Sequence, residues 1–235
     1  NFAVLSGSEL DVGTSLIEGG NGTFTLNSNT GIITAHTQGI SSSGATGSIQ
    51  LTGTRTFDTN TDYTYNGSSV QETGNALPAF PGNIRNLTID NGSGVTLMSS
   101  VFLSSTLSLN SGILSLGAQN LGILSGGSIT GESATSYVNA GSSGSLGQEV
   151  GSSDRLFPVG TLTTYIPAIL NNSGATDYYG VRVFTDVLDN GAAGSTIAEI
   201  VDCVNATWVV SELTDGGSDL EITLQWNAGD EGGGF

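Results

Sequence analysis

The chain has 235 residues, 37% hydrophobic and only 11% charged, with four basic residues against 21 acidic ones and a formal net charge of −17. Such a surface repels phosphate backbones and anionic headgroups, which argues against nucleic acid and acidic membranes as partners. No run of about 18 apolar residues is present to read as a membrane-spanning helix, and the single cysteine, Cys203, supports no intrachain disulfide framework.

Residues 1–54 read as short strands between polar turns: Phe2-Ala-Val-Leu5, Glu9-Leu-Asp-Val12, Ser15-Leu-Ile17, Thr23-Phe-Thr-Leu26, Ile32-Ile-Thr34 and Ser48-Ile-Gln-Leu51. Over residues 55–90 the pattern becomes polar and aromatic, with Arg55-Thr-Phe57 and Tyr63-Thr-Tyr65. Leu77-Pro78 and Pro81-Gly82 predict a loop leaving the ladder, because each proline removes a donor. Leu87-Thr-Ile89 resumes it. Between Asn91 and Gly131 there is no Asp, Glu, Lys or Arg, yet Val95-Thr-Leu97, Val101-Phe-Leu103, Leu107-Ser-Leu109, Ile113 to Leu116, Ile123-Leu124 and Ser128-Ile-Thr130 follow one another every six to eight residues. Strands this short do not make an independent sheet. Near-regular spacing makes sense if each coil stacks on the one before it, which is the logic of a solenoid.

Ala140 to Ser145 reads as a linker or wide loop, after which the strands lengthen. Tyr178 to Phe184 puts Val181, Val183 and Tyr179 on one side, and Leu220 to Trp226 alternates over seven residues. Only Gly194 to Ile200 hints at a helical turn. The expected fold class is therefore all-β: a parallel β-helix-like solenoid over residues 1–140, followed by a β-sandwich over 141–235 that is incomplete where the chain stops at Phe235.

Tyr63-Thr-Tyr-Asn-Gly67, Val70-Gln71, Leu77-Pro78, Asn86-Leu-Thr-Ile89, Gly94-Val-Thr-Leu97, Phe157-Pro-Val-Gly160, Tyr165-Ile-Pro167, Thr207-Trp208 and Leu224-Gln-Trp226 together resemble the repeat region of large secreted, adhesin-like surface proteins of Bacteroidota-type bacteria. The resemblance implies export by the type IX route, an extracellular or cell-surface location and a longer parent polypeptide. Its shared residues are turn and core residues, so it implies no catalytic ones.

A polysaccharide-degrading enzyme on this scaffold would need clustered carboxylates on one face. In the solenoid region Asp58 and Asp62 are a close acidic pair, and they flank a turn. His36 is the only histidine and lacks a recognisable nucleophile context. No catalytic residue and no organic cofactor is expected. Asp186, Asp189 and Asn190 place hard oxygen ligands in a flexible turn and are the calcium candidate. Trp208 and Trp226 could stack on sugars if exposed. The reading is a non-enzymatic structural and adhesive module, a segment of a long surface protein or filament. Its expected partners are neighbouring copies of itself, other surface components and glycans. A carbohydrate-binding module or a β-helix polysaccharide-degrading enzyme is the alternative.

Overall fold

The computed structural model describes residues 1–79, 81–197 and 201–234. Among these, the regular structure is β-strand apart from one short 3₁₀ turn at Ala228–Asp230. The strand spacing predicts a stacked solenoid, and the chain forms one, visiting three parallel faces in turn and completing about seven coils. The first face holds Phe2–Val4, Phe24–Leu26 and Arg55–Phe57. It is taken up again by Ile84, Val101–Leu103, Leu121–Ile123 and Leu146–Val150. The second face is one six-stranded sheet of Glu9–Gly13, Gly31–Thr34, Asp62–Tyr65, Asn86–Asp90, Thr106–Ser111 and Ser128–Thr130. The third runs through Gln71–Glu72, Val95–Thr96, Leu114–Ser115, Val138–Asn139 and Val159–Gly160. The proline loop over 77–82 falls just before Ile84, where the first-face ladder restarts; its Phe80 lies outside the described residues.

Period-two alternation decides which residues point inward. On the second face, Ile32, Tyr63, Leu87 and Leu107 stand in register and are almost wholly buried. Beside them Tyr65, Ile89 and Leu109 form a second inner column. The outward positions of the same strands, Thr64, Thr88, Ser108 and Thr130, form a hydroxyl column. One apolar core cluster runs from Val4 to Val183.

Corners between faces need residues that tolerate left-handed backbone. Gly7, Asn29 and Asn60 supply it, with φ of 83°, 59° and 59°. They are stacked by backbone bonds: Gly7 N–H donates to Asn29 O at 2.8 Å, Asn29 N–H to Asn60 O at 3.0 Å, and Asn60 N–H to Asn83 O at 3.0 Å. Arg85 clasps the same corner, donating from Nε and Nη2 to the two carboxylate oxygens of Asp62 at 2.8 and 2.5 Å. Inside the next corner, Gln71 is fully buried and fully engaged. Its Nε2 donates to Thr34 O and His36 O, while its Oε1 accepts from Gly67 N–H and from Asn91 Nδ2. A buried amide is tolerable here because every one of its groups finds a partner.

After Gly160 the strands run antiparallel. Ala168–Asn172 pairs with Arg155–Phe157, and Asp177–Phe184 pairs with Leu146–Val150. Thr207–Glu212 and Leu220–Leu224 add one further strand to each. Tyr179, Val181 and Val183 are buried as the alternation predicts, whereas the Leu220–Leu224 side is only half covered, with Ile222 at 43% exposure. The stretch from Ala140 is a corner of the coil rather than a linker, since Ala140 N–H donates to Gly160 O and Gly144 N–H to Gly117 O. The helical turn expected over Gly194 to Ile200 is instead strand as far as Thr196, the return arm of the Leu188–Asn190 and Ala193–Thr196 hairpin. Bonds from Ser195 N–H to Asp189 Oδ1 and from Thr196 Oγ1 to Asp186 Oδ2 hold it there. Residues 198–200 lie outside the described residues.

Gln71→Leu is expected to destabilise the chain by about 3 kcal/mol in denaturant unfolding, because it strands several buried partners at once. Burial pushes the phenols of Tyr63 and Tyr65 well above their ordinary value of 10.0. The unfolded chain releases these protons above that value while the folded chain holds them, so stability is intact below pH 10 and falls as pH rises beyond it. Circular dichroism against pH should show alkaline unfolding, with a shallower limb in Tyr63→Phe.

Candidate functional site: a groove beside the third face

A concavity of about 660 Å³ lies where the antiparallel arm turns back alongside the third face. Its floor is the outward column Thr96, Ser115 and Asn139, one residue per coil and in register. These side chains point out because Val95, Leu114 and Val138, their chain neighbours, are buried. Asn139 Nδ2 donates to Ser115 Oγ at 3.2 Å, and Asn139 Oδ1 accepts from Gly141 N–H at 3.0 Å, so the column is held in place.

The opposite wall is the strand Asp177–Phe184. Val181 and Val183 face the core, which sends Arg182 and Phe184 outward into the groove. The Arg182 guanidinium sits 5.3 Å from the Phe184 ring centroid and donates from Nη1 to Ser142 O at 3.3 Å. Among the described residues the ion pair is Arg85–Asp62, and no carboxylate oxygen lies within 4.0 Å of Arg182. Asp186 also lines the groove, but its carboxylate is engaged by Val187 N–H and by Thr196 Oγ1.

A second, smaller depression lies on the outside of the first face. There Gly122 and Gly147 stack in register with Phe102 in one outward column. Without side chains on those glycines, the Phe102 and Tyr178 rings lie against the sheet, 6.5 Å apart. A Cβ on Gly147 would meet Tyr178 Oη at 2.4 Å, and one on Gly122 would meet the Phe102 ring at the same distance. Burial pushes the Tyr178 phenol up to about 12. The rings cover the glycine backbone of this trench.

The residues singled out from the sequence fall into two places. Asp189 stands on the arm's hairpin with Asn190 at its turn, paired with Ala193, and Asp186 lies just before the hairpin's first strand. Both carboxylates accept hydrogen bonds from the hairpin's own backbone or hydroxyl groups. Among the described residues no group of three or more His, Cys, Asp or Glu is placed to hold a metal ion. Trp208 packs half-buried against the core and donates from Nε1 to Ile166 O at 3.0 Å. Trp226, 37% exposed, follows the strand Leu220–Leu224 of the other sheet and donates to Glu231 Oε1. The groove was not among the sequence candidates. Alternation over Tyr178 to Phe184 does separate Arg182 from the valines, but it carries no sign of what stands opposite.

No helix among the described residues is long and apolar enough to cross a membrane. No family model, no curated protein and no solved structure matches the chain.

Trp208→Phe removes the indole donor and leaves Ile166 O without it, and should cost about 1 kcal/mol in denaturant unfolding. Gly147→Ala should force the Tyr178 ring off the sheet, so that its phenol titrates closer to 10.0 in an ultraviolet pH titration.

Proposed function

We propose that this chain is a non-enzymatic structural and adhesive module, one segment of a long extracellular surface protein or fibre. The observation that carries the reading is the in-register stacking of about seven coils around one apolar core. Such a body is quasi-one-dimensional, each coil contacting only its neighbours, and it lengthens by adding coils rather than by redesign. Its outer columns are mostly Thr, Ser and Asn, uncharged groups suited to a hydrated surface in contact with other polar matter.

On this reading the chain divides at about residue 140 into a solenoid and a β-sandwich that caps one end. The burial of Ala168 and Leu170 in the same core cluster as Tyr179, Val181 and Val183 supports a closing unit of two facing sheets. The parallel ladder itself continues to Gly160, so cap and solenoid share the last coil. At the other end, Phe2–Val4 and Glu9–Gly13 are the outermost strands of their sheets. Phe2, Leu5 and Leu16 there are 39%, 67% and 43% exposed. An edge of this kind accepts another strand, and Glu9 and Asp11 on it discourage indiscriminate pairing. The partners are neighbouring copies of the chain or other surface components, and the location is the cell exterior. The resemblance to adhesin-like repeat regions of type IX cargo points the same way.

Electron microscopy of the native surface material tests this. Long, thin fibres are expected. Compact separate particles that turn over a polysaccharide would instead favour the β-helix enzyme.

A further inference from the structure

We propose that the groove between the third face and the antiparallel arm binds a saccharide chain of mostly neutral sugars, with one carboxylate-bearing sugar seated at Arg182. The proposal rests on the adhesive reading above and gives it a site and a ligand class. Three observations converge on it.

The first is the floor. Thr96, Ser115 and Asn139 repeat once per coil, and coils are about 4.8 Å apart. That step is close to the length of one pyranose unit, so consecutive sugars along the axis meet equivalent hydroxyl and amide groups. Such groups can donate to and accept from sugar hydroxyls.

The second is the cation. Arg182 is one of only four basic residues against 21 acidic ones, and among the described residues no carboxylate oxygen lies within 4.0 Å of it. Its guanidinium is fixed at two points, over Phe184 and against Ser142 O, and only Nη1 is committed to that carbonyl. The remaining N–H groups suit a planar carboxylate. The net charge of −17 disfavours a polyanion, which limits the acidic units to few among neutral ones.

The third is the shape. The groove spans three coils, from Thr96 through Ser115 to Asn139, and is about 660 Å³ in volume, which suits a short stretch of polymer rather than a single sugar. Phe184 and Leu162 supply apolar surface on its walls.

The test is calorimetric titration of the whole chain with a β-linked neutral tetrasaccharide bearing one glucuronate, alongside its carboxyl-reduced form. Saturable binding of the acidic form is expected, weakened about tenfold by Arg182→Gln and by carboxyl reduction alike, as for loss of one charge-assisted pair. Asn139→Ala should weaken both forms. Thermal unfolding of each variant checks that the fold is retained, and Arg182, on the wall of an open groove, can be changed without disturbing the core. The proposal is overturned if the native chain does not bind the acidic sugar, or if the carboxyl-reduced form binds equally well. Unchanged affinity in Arg182→Gln also overturns it. So does Arg182-dependent binding of an acidic peptide in place of the saccharide. Loss of sugar binding with fibres still visible by microscopy removes this proposal and leaves the structural reading standing. Compact, polysaccharide-degrading particles remove the structural reading.

Discussion

The parallel backbone ladder between successive coils is the interaction on which this molecule depends. A strand such as Gln71–Glu72 or Leu114–Ser115 is two residues long and has no stability of its own. It exists because the coil before and the coil after satisfy its donors and acceptors, and because its inward side chain joins a buried column. Register is therefore under strong constraint. A slip of one residue on the second face would carry Tyr63, Leu87 and Leu107 to the solvent and bring Thr64, Thr88 and Ser108 into the core.

The corners make that register possible. Turning a chain sharply three times per coil demands backbone conformations that most residues resist. Gly7, Asn29 and Asn60 meet the demand at one corner and then bond to each other through their main chains. Gly112 does the same at another: its φ is 84°, and any Cβ there would stand 1.9 Å from Asn91 O. Buried amides complete the interior. Gln71 and Asn91 replace water for groups that the turns leave unpaired, which is why a core with so few charges still holds polar side chains.

The groove arises where two building rules meet. Parallel coils lay down one polar residue per step, and the antiparallel arm then folds back beside them to raise a wall carrying Arg182 and Phe184. Neither part alone is concave. In the smaller trench, on the outside of the first face, Phe102 and Tyr178 occupy the space above the glycines. The calcium and sugar-stacking candidates of the arm are tied into its own hydrogen bonding, at Asp186, Asp189 and Trp208 in particular.

Alternation and turn residues act over a few positions, so the β-strands, the coil rhythm and the inward residues of the uncharged stretch are all legible in the chain itself. Val101–Leu103 and Ser128–Thr130 appear at the positions their pattern indicates. Tyr179, Val181 and Val183 are buried as their spacing implies. Strand direction is not local information, and so the continuation of the last coil into antiparallel strands, and the strand at Ala193–Thr196, were decided by pairing partners far along the chain. The groove was decided in the same way. Thr96 and Arg182 are widely separated in sequence, and only the return of the arm sets them on opposite sides of one space.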